Sequence, residues 1–325
     1  MTQDNHILFA YEFDGKGKGT KLEGDAVAQK IKQDVLAWAH LDVNHPQTRQ
    51  WLQDEASYLD PLILDALLAK ESRPRVTEYP EGYLIILRGV NLNQNAEEED
   101  MVSIRMWIDQ HRIISTRLRK LKSVQSIREK LEAGTGPKNS ADFITLLVTE
   151  LLNKMEPVIA ELDDATDKIE QDLIEQSDEL SRAEINDIRK KAILLRRYIS
   201  PQKEALAHFR TSDVPWMNER HMRAIQEQID KNTRLVEDLD SIRERGQIIK
   251  DELSNTLSER MNKNLYVLSL IAALFLPLGF LTGLLGINVG GMPGVDSSAA
   301  FWVVCFLCCG VFALEYIIFR KLRWL

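Results

Sequence analysis

Three consecutive residues near the carboxyl end of this 325-residue chain have the chemistry of a cation site. Gly286, Ile287 and Asn288 directly follow a long apolar run. An Asn side chain and exposed backbone carbonyls are neutral oxygen ligands, which hard divalent cations accept directly or through their own waters. Neutral oxygens discriminate poorly between metals. Residue type therefore leaves the role of these three residues, and any metal they would bind, open at this point.

One ionisable group, Glu315, lies inside a second apolar run. A carboxylate within a membrane span is a functional candidate by default. Two roles remain open for Glu315: an anchor that pairs with Arg320 or Lys263, or a group that carries protons. The nearby Cys305, Cys308 and Cys309 offer zinc-binding thiols, but small apolar side chains also pack well between helices, and packing is the favoured interpretation.

Other possible metal ligands are scattered through the rest of the chain. His40 and Asp42 share one face of a predicted strand and His45 follows them, yet a structural strand is the favoured interpretation. His208 and His221 are a possible regulatory cation site, and Asp251 is a possible carboxylate ring around an axis. Twelve acids against two bases in residues 156–187 predict a solvated acidic face, with a cation-gathering surface as the alternative.

The segment GKGKGTK at residues 15–21 is the nearest approach to a nucleotide-binding loop. Thr20 stands where the P-loop pattern requires its second glycine. A hairpin turn is the better interpretation. Nothing in the sequence resembles a nucleophile elbow or a zincin helix, so no enzyme activity, nucleotide or cofactor is expected.

Two apolar runs account for the carboxyl end of the chain. Residues 265–285 contain no charge, and residues 299–319 contain one, Glu315. At ~1.5 Å per residue each run is about 30 Å long, the thickness of a bilayer core. The intervening loop, 286–298, has no Lys or Arg, whereas basic residues flank the other ends of both spans, at Arg260, Lys263, Arg320, Lys321 and Arg323. The positive-inside rule therefore predicts that both termini are cytoplasmic. No signal peptide is expected at the acidic amino end.

The overall composition hides this division. The net charge is −8 and the mean hydropathy is −0.24, typical of a soluble acidic protein and atypical of nucleic-acid binding. Residues 265–325 carry a net charge of +1 and the remaining 264 residues carry −9.

The first 135 residues have an α/β pattern. Strand-like runs occupy 7–13, 35–43, 82–92, 102–109 and 112–117, and helix-like runs occupy 47–55, 60–70 and 122–133. After a Gly- and Pro-containing linker at 134–140, helices are predicted at 141–177 and 182–209, with Ser140 or Asp142 as starts.

A third helix is predicted to begin at Asp213–Pro215 and to continue into the membrane. It carries an apolar seam in alternating steps of three and four, typical of a coiled coil, and the expected neighbours are other copies of the chain. The seam residues are Leu235, Leu239, Ile242, Gly246, Ile249, Leu253 and Thr256.

Two spanning helices enclose no pore, so transport requires several copies around an axis. One face of the first span is small or aliphatic and uncharged, and it either lines a pore or only packs against helices. This face comprises Leu268, Ala272, Leu276, Gly279 and Gly283.

The chain resembles the CorA family of divalent-cation transporters over essentially its whole length. The resemblance rests on Gly286-Ile287-Asn288, LFLP at 274–277 upstream, MPG at 292–294 downstream and the ending RKLRWL. Ile287 replaces the usual methionine of the family's Gly-Met-Asn, as in the zinc-associated ZntB branch, and Gly294 replaces an acid common in magnesium channels.

The resemblance implies a homopentamer in a bacterial inner membrane, a cytoplasmic funnel, an inner ring of first-span helices and a selectivity site at Asn288. It also implies zinc as cargo, with proton-driven uptake or efflux both open.

The expected fold class is thus an α/β amino-terminal cytoplasmic domain, a long helical stalk and two carboxyl-terminal transmembrane helices. The expected domains are 1–135 (α/β), 136–264 (funnel and stalk), 265–285 (first span), 286–298 (outer loop), 299–319 (second span) and 320–325 (basic tail). A zinc transporter is the leading prediction. A magnesium or broad divalent channel and a membrane-anchored sensor are the alternatives.

Overall fold

The computed structural model describes residues 5–175, 182–287, 294 and 296–322, which divide into two compact units, Met1–Lys250 and Asp251–Leu325. The strands are β1 (Ile7–Phe13), β2 (Gly19–Leu22), β3 (Ala37–Asp42), β4 (Arg75–Tyr79), β5 (Gly82–Gly89), β6 (Val102–Ile108) and β7 (Arg112–Arg117). The helices are α1 (Asp25–Ile31), α2 (Gln47–Glu55), α3 (Pro61–Leu68), α4 (Lys122–Glu132), α5 (Ser140–Ile174), α6 (Arg182–Thr211), α7 (Glu219–Leu285) and α8 (Ala300–Lys321).

The strands form one sheet in the order β2-β1-β3-β7-β6-β5-β4. Every neighbouring pair is antiparallel except β3 and β7, which run parallel with Ala37 opposite Arg112. A parallel pair needs a long crossover, and here the chain between the two strands supplies α2, α3 and the β4-β5-β6 meander.

Helices cover both faces of the sheet, because side chains alternate along each strand. On β3, Ala37, Ala39 and Leu41 point into a buried cluster with α1, α2 and α3. Trp38 points to the opposite face, where its ring meets Phe143 of α5 edge-on at 4.8 Å. Both the central strand and the helices that flank it are therefore fixed by apolar burial.

His40 of β3 is a fully buried structural residue. Its ring stacks on Phe9 at 4.8 Å, and its Nδ1 lies 2.7 Å from the Ser115 hydroxyl, which also accepts a hydrogen bond from Trp38 Nε1. Burial, followed by the charge of Arg117, lowers the pKa of His40 to about 3. The favoured structural interpretation of this strand is therefore correct.

The predicted hairpin turn lies within 15–21, between β1 and β2, and β2 itself begins at Gly19. The Asp14 carboxylate accepts hydrogen bonds from the backbone N–H groups of Lys16, Gly17 and Lys18 at 2.7, 2.9 and 2.9 Å. These donors already have a partner, so the loop has no free N–H nest to hold a phosphate.

Three long helices follow the sheet, and the third of them, α7, begins in the first unit and continues into the second. Asn139 caps α5 by accepting from Asp142 N, so α5 begins at Ser140, one of the two predicted starts. The seam of α7 is buried at Leu235, Leu239 and Ile242. Its neighbours within the chain include α6, since a Cβ on Gly246 would stand 2.6 Å from the Arg189 side chain, and α5, since Arg245 binds Asp163. Packing of the seam against other copies stays a prediction.

One predicted boundary is wrong. α7 begins at Glu219, four residues after Pro215, because the segment from Val214 forms a turn and Asn218 then accepts from His221 N at 3.2 Å, satisfying an N–H of the first helical turn. The predicted continuity of this helix to residue 285 is confirmed. Three short elements, β2, α1 and β4, were not predicted.

Acid should destabilise the first unit through His40. Its pKa is about 3 in the folded protein and 6.5 ordinarily, so below pH 6.5 the unfolded chain takes up a proton that the folded protein refuses. The free energy of unfolding should fall as pH drops from 6.5 towards 3, by at most ~1.4 kcal/mol per pH unit. Thermal unfolding of the detergent-solubilised chain at pH 7.5 and 5.5 measures this effect.

The matched variant for this test is His40→Gln, which keeps a hydrogen-bonding group but does not titrate. Its melting temperature should fall less between the two pH values than that of the wild type. An equal fall in both proteins would show that other groups, among them His6, whose pKa burial also lowers, control the acid sensitivity.

Candidate functional site

The uncharged face predicted on the first span lies open on the single chain. Leu268 and Leu276 are 63% and 76% exposed, and Ala272 is exposed between them. A Cβ added to Gly279 or Gly283 would meet nothing within 4 Å. The side of α7 that carries these five residues thus has no covering partner among the described residues of the chain.

A different side of α7 is partly covered. The half-buried positions in the span recur every three or four residues, at Leu270, Leu274, Pro277, Leu278 and Leu281. α8 has a matching side at Val304, Cys308, Val311, Glu315 and Phe319. Residues 251–285 of α7 and all of α8 belong to the second unit, and we infer that the two helices pack along these half-buried sides.

The open and covered sides of α7 point in opposite directions. At ~100° of rotation per residue, the five open residues centre about half a turn away from the half-buried ones. The open side therefore faces away from α8. Its residues are uncharged, and both candidate spans are apolar, with none of the residues in their most apolar stretches buried by the chain.

The open side leads to the carboxyl end of α7. Gly286 N donates to Gly283 O at 3.2 Å, closing a tight final turn, and a Cβ on Gly286 would stand 2.9 Å from Thr282 O. The last carbonyls of a helix lack intrahelical partners and carry its partial negative charge. Ile287 is 46% exposed. Asn288, the predicted selectivity residue, lies outside the described residues.

Comparison with known proteins places this architecture in a family. Residues 33–321 match the family described as CorA-like Mg2+ transporter protein. The chain belongs to this family.

Two curated relatives cover nearly the whole CorA-like chain. A divalent cation transporter CmaX of Pseudomonas aeruginosa is 37% identical over 98% of this chain and 97% of the relative. A zinc transport protein ZntB of Yersinia enterocolitica is 37% identical over 94% of this chain and 92% of the relative. Both relatives are named as transporters and neither as an enzyme.

Solved structures show the same fold. The full-length CmaX protein matches with a TM-score of 0.86 and 36% identity, covering all of both chains. The complete CorA magnesium transporter of Methanocaldococcus jannaschii matches with a TM-score of 0.79 over 98% of each chain; at 16% identity that likeness concerns the fold alone. The predicted fold class, with an α/β domain, a long helix and two apolar carboxyl-terminal helices, is therefore confirmed.

Glu315 of this CorA-like chain lies on the side of α8 that packs against α7. Its Oε2 atom is buried and has no hydrogen-bond partner among the described residues. No ion pair joins it to Arg320 or Lys263 in the described part of the chain, so the anchoring role has no support from this geometry. The second predicted role of Glu315, that of a group that carries protons, stays a prediction for this partly covered carboxylate.

The three cysteines do not form a metal site. Cys305 and Cys308 are half-buried and Cys309 is exposed, all with free thiols. Within the residues that the structure describes, no three His, Cys, Asp or Glu side chains are arranged to hold a metal ion. Packing between α8 and its surroundings remains the interpretation of these residues.

Within the described residues, the histidines of the first unit belong to no group of three metal-binding side chains. Asp42 accepts from Asn44 N at 2.8 Å in the turn after β3, away from the buried His40 ring. His221 Nε2 lies 3.0 Å from Asp142 Oδ1, tying the start of α7 to the start of α5, whereas His208 is exposed. Asp251 is exposed on α7, and its membership of a ring is a prediction about the assembly.

The acidic face predicted at 156–187 is partly paired, which the sequence did not reveal. Arg245 of α7 binds Glu170 at 2.8 Å and Asp163 at 2.8 Å, and it also contacts Asp167. Lys231 binds Glu156 at 2.6 Å. The basic residues are about 75 positions away along the chain, so no local spacing could have indicated the pairing.

Proposed function

We propose that this divalent-cation transporter of the CorA type moves zinc, and similar dications, across a bacterial inner membrane as a homopentamer. The observation that carries the proposal is the open, uncharged side of α7, which faces away from α8 and leads to Gly286 and Ile287; Asn288 follows them in the sequence. Family membership supports transport, and the relatives named for zinc transport support the cargo.

Several copies are needed because one hairpin has no interior. If the side of α7 that bears Leu268, Leu276 and Gly283 faces a shared axis, the α8 helices lie outside and meet lipid. Glycines at 279 and 283 let backbones approach closely. An apolar pore wall holds back a bare ion and conducts when it widens and wets. This arrangement makes α7 the pore helix and Asp251 a candidate ring on the stalk.

The outer mouth is proposed to bind a hydrated ion. The partial negative charge at the end of α7 attracts cations, and Asn288 with the carbonyls of Gly286 and Ile287 adds neutral oxygens in each copy. Stripping water from a small dication is very costly, whereas its waters can donate hydrogen bonds to a ring of such oxygens. This site holds dications in general, so the preference for zinc must also depend on other parts of the pathway.

Zinc is favoured over magnesium by relatedness and by two residues. The zinc transport protein ZntB of Yersinia enterocolitica is 37% identical, whereas the solved magnesium transporter is 16% identical. Ile287 and Gly294 depart from the pattern of magnesium channels. Magnesium or broad divalent transport is the second candidate, favoured by the description of the family.

The domain arrangement is proposed as it was predicted. Residues 1–135 and 136–264 form a cytoplasmic funnel and stalk, 265–285 and 299–319 span the membrane, 286–298 face outwards, and 320–325 form a basic tail. The basic residues at Arg260, Lys263, Arg320 and Lys321 support cytoplasmic termini. No nucleic acid, nucleotide or cofactor enters the proposal; the partners are other copies, lipid and the transported ion.

Flux measurements in proteoliposomes test transport and the mouth together. Zinc flux should exceed magnesium flux, and Asn288→Ala should lower zinc flux at least tenfold while the size of the detergent-solubilised oligomer is unchanged. Magnesium flux without zinc flux would favour the second candidate. Absence of any dication flux would refute transport and leave a membrane-anchored sensor, and unchanged flux in Asn288→Ala would remove Asn288 from the mechanism.

A matched pair of glycine variants tests which helix lines the pore. Gly283 on α7 and Gly310 on α8 both have open space around a built Cβ within the chain, so Leu at either position is tolerated by the single chain. Gly283→Leu should reduce flux at least tenfold because five added side chains narrow the axis, whereas Gly310→Leu should leave flux within about twofold. The reverse pattern would place α8 at the axis.

Glu315→Gln tests proton coupling without removing the side chain. If Glu315 carries protons, an imposed pH gradient should accelerate zinc flux in the wild type and have no effect in the variant, while flux without a gradient remains. The same acceleration in both proteins would exclude Glu315 as the coupling group. No acceleration in the wild type would exclude proton coupling.

A further inference from the structure

One polar side chain, that of Asn232, is fully buried on the apolar side of α7. Its exposed fraction is 0%, and its neighbours on the same side, Ile229 and Val236, are buried and apolar. Within the described residues of α7, only Asn232 and His221 are both polar and buried. A buried amide is costly unless its oxygen and its nitrogen both have partners. The partners of Asn232 therefore decide what this residue does.

These partners are two backbone groups of α6. The Asn232 side-chain nitrogen donates to Ile199 O at 3.2 Å, and its oxygen accepts from Lys203 N at 3.2 Å. Residues four apart are the ones that a regular α-helix joins to each other, so Asn232 bonds both members of one helical pair. Pro201 lies between them inside α6, and a proline in a helix interior removes one bond and disturbs the ladder around it. We name residues 199–203 the Pro201 turn.

The Pro201 turn is also bonded to the sheet. Gln202, 1% exposed, accepts through its Oε1 from Arg88 N of β5 at 2.8 Å. The pairing of β5 with β4 ends at Ile86, two residues earlier, so the Gln202 oxygen takes the place of a strand carbonyl. The Arg88 guanidinium lies over the Tyr198 ring, 3.9 Å from its centre. One turn of α6 thus joins both β5 and α7.

The buried amide restricts the position of α7 more than a surface contact does. Arg196 of α6 pairs with Asp240 of α7 at 2.6 Å, but both side chains are more than a third exposed. Exposed ion pairs are weak and tolerate movement, because water competes for both partners. A shift of α7 along α6 would leave the buried Asn232 amide without partners, so this residue disfavours every other register.

We propose that Asn232 is a positioning residue for transport, which fixes the register of α7 against the Pro201 turn and thereby links the pore helix to the sheet. α7 continues without interruption from Asn232 to Leu285, so a displacement at the Pro201 turn is passed to the helix that the proposed function assigns to the pore. The transport role rests on that proposed function, whereas the link from β5 to α7 does not. The two parts therefore have separate measurements.

Hydrogen exchange, measured by mass spectrometry on the full chain in neutral detergent, tests the link. Asn232→Leu removes the amide but keeps a buried side chain of similar size. The peptide that contains Arg88 should exchange about fivefold faster in this variant, because the Pro201 turn then holds Gln202 less firmly. Unchanged exchange of this peptide in the folded variant would overturn the link. If Asn232→Leu does not fold, Asn232→Ala takes its place, with the same expected result and the same contradicting one.

The matched control is Gln226→Leu, the same change from an amide to an apolar group on α7. The Gln226 side-chain nitrogen donates to Asp230 Oδ1 at 2.7 Å, a bond within α7 itself. The control should therefore leave the exchange of the Arg88 peptide unchanged. Equal acceleration in both variants would show that any loosening of α7 reaches β5, and the specific role of Asn232 would be refuted.

Zinc flux in proteoliposomes tests the transport role. Asn232→Leu should lower flux about fivefold, with the melting temperature showing that the protein is folded. Gln202→Leu should lower flux similarly, and the double variant no further, because both residues act through the same turn. Unchanged flux in Asn232→Leu, or a fully additive fall in the double variant, would overturn the transport role. Absence of zinc flux in the wild type would refute the proposed function and this role with it, whereas the exchange result decides the link by itself.

Discussion

The bilayer offers backbone polar groups no water, and this constraint decides the form of the second unit. α7 satisfies its backbone internally as far as Leu285, and α8 does so from Ala300. Irregular backbone is tolerated at a membrane only where it meets water or protein. The open carbonyls at the end of α7 therefore lie at the end of the span, where, in the proposed mouth, the lack of backbone partners leaves them available to bind a cation.

The acidic first unit is organised by pairs that are distant in sequence. Arg245 gathers three acids of α5, and Lys231 binds a fourth. These contacts join the helix that enters the membrane to the helix that follows the sheet. Part of the acidity noted in the sequence is thus neutralised by the ion pairs that hold α7 in place. The acidic face of α5 therefore binds α7 through ion pairs, whereas its role in gathering cations stays a prediction.

Much of the fold was predictable because its main elements are strongly patterned. The strand at 102–109 and the helices that begin near 140 and 182 carry long apolar patterns that local reasoning detects. β4 and α1 were missed for physical reasons: β4 is a five-residue edge strand with no fully buried position, and α1 has seven residues and no side-chain cap. The start of α7 was misplaced because Pro215 suits a first helical turn, while Asn218 provides the actual cap.

The candidate site, like the fold, could be predicted from the sequence only in part. The spacing of Leu268, Leu276 and Gly283 predicted one face of a helix, and only the position of α8 showed that this face is the uncovered one. The ion pairs of Arg245 gave no signal, since the acids that it binds lie 75 to 82 residues earlier in the chain. Local periodicity reveals one face of a helix, whereas ion pairs between distant segments become visible only when the chain is folded. The proposed pore face is of the first kind and the Arg245 cluster is of the second.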